Sequence, residues 1–357
     1  INEHYKRQSH LGKIAERTIG YEKVDELGNY MRIGLEGAYS EYLSGKSGSR
    51  LMQKIADGQW KPIRSYYERE PVQGYDVHTT IDTQIQDAVH HELLYQLEKY
   101  EADHGTMIVM ETKSGKVKGI SNLARTSKGK YYEKLNYGIW ESQEPGSTFK
   151  LMSLIAALED GAVSPKDSVD TGNGVLKFYN EEVKDSNKRG YGVITVSKAF
   201  EVSSNVIAPT IHDVYKSNPN QFLSRLEKFG LTKPLGISLS GEPSPKVSRP
   251  GSKIWSGISI PYMSIGYELE QTPLQTLNLY NSVANNGRMM QPQFVQEVRN
   301  GSKVVRSFPP VALDEKICSI STINKVKSCL VGVMEDGTGK DLKSVEFKIA
   351  GKTGTVK

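Results

Sequence analysis

The chain has 357 residues and only two cysteines, Cys318 and Cys329. Their spacing matches no metal site. A disulfide between them would need an oxidising compartment, and Cys329 reads instead as part of an apolar helix face with Val326, Leu330 and Val333. The seven histidines show no zinc spacing, and the adjacent His90 and His91 face apart on a helix. No metal or other cofactor is expected. No stretch reaches the roughly 20 apolar residues that cross a bilayer. The longest near-apolar run, "LMSLIAAL" at 151–158, reads as a core helix. There is no repeat, no low-complexity tract and no clustered run of Lys and Arg, so nucleic acid is not an expected partner. "GKS" at 45–47 and "GKT" at 351–353 mimic a phosphate loop, but the required first glycine is Ser40 in one and Glu346 in the other. A G-x-S-x-G nucleophile elbow is also missing.

What is present is a globular composition: 37% apolar, 24% charged, net charge +5. The length exceeds the usual ceiling for one core, so two domains are expected. Residues 1–74 are polar. They hold a helical patch in "IGLEGAYSEYLSGKSG", with Ile33, Leu35, Ala38, Tyr42 and Leu43 on one face, followed by an extended connector over 61–75. A new unit starts near residue 75. "DVHTTID" alternates as a strand, and "TQIQDAVHHELLYQLEKYEA" is an amphipathic helix with Ile85, Val89, Leu93 and Leu97 inward. "GTMIVMETKSGKVKGIS" reads as two strands joined by a turn. The middle, 147–290, is mostly helical. The end, "SVEFKIAGKTGTV", alternates Val345, Phe347 and Ile349 as a strand. The class is therefore α+β, an antiparallel sheet flanked by helices. The chain opens in mid-pattern at Ile1, without a signal peptide, and stops just past the glycine-rich strand, so both ends read as cut.

The chemistry concentrates in "EPGSTFK" at 144–150. Pro145 and Gly146 launch a helix and place Ser147 at its start. Positions i and i+3 share a face, so Lys150 lies beside Ser147. The following residues are apolar nearly all round, which means a buried helix. A lysine there loses hydration of its ammonium and its pKa falls. Such an amine can take a proton from a nearby hydroxyl. S-x-x-K alone is a common chance pattern. It gains weight from two further stretches in order: "SSN" at 203–205, and "KTG" at 352–354. S-x-x-K, S-x-N and K-[ST]-G in that sequence mark penicillin-recognising serine acyl transferases.

With these motifs, and with "GYDVHTTIDTQIQ", "GLEGAYSEYLSGKSG" and "MSIGYELEQTPLQTLNLYNSVANNG" beside them, the chain resembles the class B penicillin-binding proteins, the peptidoglycan D,D-transpeptidases. The likeness covers nearly all of it and is strongest to the division-specific septal type of Bacteroides-like bacteria. The resemblance implies a penicillin-binding, serine β-lactamase-like transpeptidase domain over 75–357, ending short of the family's last strands and helix. It also implies that 1–74 are the later part of a non-catalytic pedestal domain. Ser147 would be the acylated nucleophile, Lys150 its base, and Ser203 a proton relay. Lys352 would supply positive charge. Asn205, Thr353, Gly354 and Thr355 would hold substrate, with the backbone N–H groups of Ser147 and Thr355 facing the oxyanion. The implied partners are stem peptides ending in D-Ala-D-Ala, an amine acceptor, β-lactams and other division or cell-wall proteins. The implied location is the periplasmic face of the inner membrane, through an anchor outside this sequence. A penicillin sensor or silent scaffold, and a serine β-lactamase, are the alternative readings. No deacylating base announces itself for the latter.

Overall fold

The computed structural model describes residues 12–63, 68–179, 181–187 and 189–356. Near its start, Tyr21–Val24 pairs antiparallel with Tyr30–Ile33. Two short helical turns follow, Gly34–Ala38 and Ser40–Leu43. The break between them at Tyr39 (φ −111°) rotates the second turn. Leu35 and Tyr39 therefore point inward, while Ala38 and Leu43, expected on the inner face, are exposed. Leu35 and Tyr39 share a core with Val117, Ile120, Ile139 and Phe294, so this region is packed onto the sheet behind it. Residues 44–63 and 69–74 then form an exposed β-ribbon.

The helix Thr83–Tyr100 starts at Asp82, whose carboxylate accepts the N–H groups of Gln84 and Ile85. It buries Val89, Leu93 and Leu97, as its spacing requires, but also Gln86. That amide is not an error of polarity. Its Nε2 donates to Ile120 O and its Oε1 accepts Ile120 N–H, each at 2.9 Å, so the helix is bonded to the strand as well as packed on it. His104–Met110, Val117–Arg125 and Tyr131–Tyr132 form one antiparallel sheet in that order. Asp76–Thr79, Val295–Asn300 and Lys303–Ser307 form a second. Thr80 joins the two by donating to Val117 O and Gln293 O.

On the other side lies the helical body. The helix Lys150–Glu159 has residues 150–158 all buried. Packed around it in one core are Phe200, Ile207, Phe222, Met263, Leu279, Val326 and Cys329. Small hairpins interrupt this region, among them Val175–Phe178 with Glu181–Lys184, which the helical reading of 147–290 did not contain. Both cysteines are buried free thiols, and Cys329 lies on the expected face with Val326, Leu330 and Val333.

The alternation at 345–349 forms no strand. A strand needs a neighbour for its ladder. Here the only backbone bond from 344–356 to another segment, among the described residues, is Gly351 N–H to Leu330 O at 3.1 Å. Val345 and Phe347 are accordingly exposed.

Glu133 ties the first described residues to the sheet. Its carboxylate accepts Arg17 N–H at 2.7 Å and Asn122 N–H at 3.2 Å, and it is 3% exposed. Burial raises its pKa from 4.5 to about 7 against the pull of those bonds. Between those two pH values the folded chain holds a proton that the unfolded chain has lost. Stability therefore falls as pH rises through this window, by up to ~3 kcal/mol. Glu133→Gln cannot titrate. The melting temperature of the unmodified chain is expected to fall between pH 5 and pH 7.5 by more than that of Glu133→Gln, measured by circular dichroism.

Candidate active site

Gly146 sits at φ +54°, which favours glycine. A Cβ there would lie 2.6 Å from Thr355 O. Opposite it, a Cβ on Gly266 would lie 2.0 Å from Gly146 O, and Gly146 N–H donates to Gly266 O at 3.1 Å. The turn carrying Ser147 is thus held between two backbone segments that only glycine lets approach.

Residues Gly146–Phe149 form a 3-10 turn before the helix proper. In such a turn i and i+3 eclipse, and Lys150 N–H bonds to Ser147 O. Tyr280 pins the turn by donating its hydroxyl to Thr148 O at 2.7 Å, and Ser153, in the helix that follows, donates to Ser264 O at 2.8 Å.

Lys150 is 1% exposed. Its Nζ donates to Ser203 O at 2.7 Å, Asn205 Oδ1 at 2.7 Å and Ser203 Oγ at 3.3 Å. Burial above all, then the charge of Lys352, hold its pKa well below the ordinary lysine value, and Asp185 opposes them. Lys352 donates to Ser203 Oγ at 2.8 Å and to Thr353 O at 3.1 Å. Burial lowers its pKa to about 8. The Ser203 hydroxyl therefore lies between two amines. Ser203 itself is at φ +58°, an uncommon conformation for a side-chain-bearing residue. This φ lets its carbonyl and its hydroxyl both meet Lys150.

The structure brings Lys150, Ser203, Asn205 and Lys352 into one hydrogen-bonded cluster beside the Ser147 turn. The Ser147 hydroxyl has no hydrogen-bond partner among the described residues, so the expected Ser147–Lys150 contact is not closed here. Thr353 does not join the cluster, and its hydroxyl pairs with that of Thr338 at 2.6 Å. Gly354 lies against Thr148, where a Cβ would come within 2.9 Å of Cγ2. Thr355 is exposed, with its carbonyl toward Gly146. A cleft of about 680 Å³ runs between Lys352 and Ala350 on one wall and His104, Thr106 and Tyr280 on the other.

Asp185, absent from the sequence reading, holds the Ser203–Asn205 loop from behind. Ser204 Oγ donates to its two oxygens at 3.0 and 2.9 Å, and Asn205 N–H donates to Oδ1 at 2.5 Å. Asn205 also donates from Nδ2 to Lys184 O at 2.7 Å. Asp185 is 2% exposed and two residues beyond buried Val183. An acidic residue in an inward position of an alternating strand end was the available signal.

The fold is that of a penicillin-binding transpeptidase domain. The model for the penicillin binding protein transpeptidase domain matches residues 105–357, and the chain belongs to that family. It is similar to stage V sporulation protein D of Bacillus subtilis (25% identity, 97% of this chain, 53% of the relative). It is likewise similar to peptidoglycan D,D-transpeptidase FtsI of Escherichia coli (26%, 100% and 58%). The chain thus spans about half the length of the curated relatives it matches. Among solved structures, penicillin binding protein 3 of Mycobacterium tuberculosis in its apo form superposes with TM-score 0.79 at 25% identity. That match covers 98% of this chain and 76% of the other. The same protein has been solved with aztreonam and with ampicillin.

Asp185→Asn keeps one acceptor but turns an amide N–H toward a donor. It is expected to lower stability by about 1–3 kcal/mol, read from the urea midpoint.

Proposed function

We propose that this chain carries a peptidoglycan D,D-transpeptidase centre that works through a serine acyl-enzyme and is blocked by β-lactams. The observation that carries the reading is the cluster of Lys150, Ser203, Asn205 and Lys352 beside the Ser147 turn. The family membership and the printed activity of the FtsI relative support it.

In this reading a peptide ending in D-Ala-D-Ala lies along residues 352–355. Lys352, protonated below about pH 8, attracts its carboxylate, and Thr353 and Thr355 bond to it. Asn205 bonds to the peptide. Lys150, whose amine is readily neutral, takes the Ser147 proton as Oγ attacks the penultimate carbonyl. Ser147 and Thr355 N–H groups face the developing oxyanion. The Oγ–C bond forms and the C–N bond to the last alanine breaks. The proton passes from Lys150 through Ser203 to the leaving amine. An acceptor amine then attacks the acyl carbon, the Oγ–C bond breaks, and a proton from that amine passes through Ser203 and Lys150 to the Ser147 oxygen. A β-lactam would stop at the first stage, because its leaving nitrogen stays tethered.

Residues 1–74 would form a pedestal beside the catalytic unit 75–357. Septal wall synthesis on the outer face of the inner membrane, with other wall-building proteins as partners, rests on the resemblance carried by the sequence motifs. The Bacteroides-like branch rests on the sequence resemblance alone.

Mass spectrometry after incubation with benzylpenicillin tests the centre. One stable adduct is expected, lost in Ser147→Ala and strongly slowed in Lys150→Ala with the fold retained. Rapid return to the unmodified mass with penicillin consumed would instead mean a β-lactamase. A stable adduct without turnover of a D-Ala-D-Ala thioester would mean a sensor.

The pH dependence has a definite sign. Above about pH 8 Lys352 is neutral and no longer attracts the carboxylate. The acylation rate is expected to fall above that pH. In Lys352→Arg, which stays charged, this fall should disappear from the rate profile.

A further inference from the structure

Asp185 is a buried carboxylate that the steps above do not use. Its bonds come from the Ser204 hydroxyl and the Asn205 N–H, and among the described residues no lysine or arginine forms an ion pair with it. A buried carboxylate without a cation in contact is costly. The titratable groups that feel its charge are Lys150 and the Tyr191 hydroxyl. On its own strand, Lys184 is drawn instead to Glu182 at 2.8 Å.

The Lys150 amine makes two short bonds, each 2.7 Å, to carbonyl oxygens that can only accept: Ser203 O and Asn205 Oδ1. Its contact with Ser203 Oγ is longer, 3.3 Å, and that hydroxyl can also donate. Two N–H directions are thus fixed, and one position on the nitrogen is left for a travelling proton. Both fixed directions depend on residues 184 and 185. Lys184 O accepts from Asn205 Nδ2 at 2.7 Å, which turns Oδ1 toward Lys150. Asp185 accepts Asn205 N–H at 2.5 Å and the Ser204 hydroxyl at 2.9 Å, which holds the backbone between the two carbonyls.

We propose that Asp185 is a positioning residue of acyl transfer: it orients Lys150 through the 203–205 loop and is the counter-charge to the ammonium formed when Lys150 takes the Ser147 proton. The inference rests on the acyl-transfer reading. Burial and the charge of Lys352 disfavour that ammonium, and Asp185 is the group that favours it. A neutral residue at 185 therefore acts in two ways. The ammonium is less stable, so proton transfer from Ser147 is slower. The amine also stays neutral to lower pH, so the fall in rate on the acid side moves down. Loss of loop order alone slows the reaction without moving that limb.

The test is the pH profile of acylation of the whole chain by a fluorescent penicillin. Asp185→Asn and Asp185→Ser are neutral and keep an acceptor, whereas Asp185→Glu keeps the charge. The neutral variants are expected to acylate about tenfold or more slowly at the plateau, with the acid limb about half a unit or more lower in pH. Asp185→Glu should slow the plateau and leave the limb in place. Circular dichroism shows which variants are folded at the assay temperature, and Asp185→Ser serves if Asp185→Asn is not. An acid limb that stays in place in a folded neutral variant would overturn the proposal. So would a plateau equal to that of the unmodified chain, or an unmodified chain with no acid limb above the pH at which it unfolds. No acylation of the unmodified chain at Ser147 would overturn the acyl-transfer reading itself, and this inference with it.

Discussion

A lysine amine removed from water must find an acceptor for each of its N–H groups, or leave a costly orphan. Lys150 meets that demand with the Ser203 carbonyl, the Ser203 hydroxyl and the Asn205 side chain. Much of the surrounding structure follows from it. The Ser203–Asn205 loop must come to the lysine, so Ser203 takes a left-handed backbone conformation, and Asp185 is buried behind the loop to hold it. A second amine, Lys352, shares the Ser203 hydroxyl. Two like charges this close in a low dielectric oppose each other. The cluster is therefore poised to hold fewer protons than two lysines in water would.

The order of motifs made the site legible because each motif is local. Ser147 and Lys150 are one turn apart, and Ser203 and Asn205 are two residues apart. What brings the groups together is not local. Nothing in "EEVKDSN" by itself says that Asp185 lies under a loop 18 residues further on. Gln86 was invisible for the same reason: its partner, Ile120, is on another element. Helices with a clean face, such as Thr83–Tyr100 and Ile320–Asp336, could be read directly. The 345–349 stretch could not, because alternation records only that a strand would be compatible. Whether a strand forms depends on a neighbour. The small hairpins at 168–195 escaped notice because their strands are three or four residues long, too short for a period to show.

The two ends of residues 12–74 are held very differently. Residues 15–39 are joined to the sheet by buried side chains and by Glu133, and share its core. Among the described residues the ribbon bonds to the rest of the chain only at its stem, where Ser44 donates to Ser40 O and to Glu22. A single stretch of chain thus supplies a rigid base and a free extension. Motion at the tip need not disturb the Ser147 turn, which is clamped from the opposite side by Tyr280 and Gly266.

That clamp bears on how the site can change by mutation. At Gly266 any side chain would collide with the backbone of Gly146, and at Gly146 with the backbone of Thr355. Neither obstacle is a flexible side chain that could swing away. Single-residue routes that reshape the pocket by moving this turn are therefore closed at both positions. A lineage under pressure to exclude an inhibitor while keeping its substrate must work from the rim, at residues with free space around them, and in small steps.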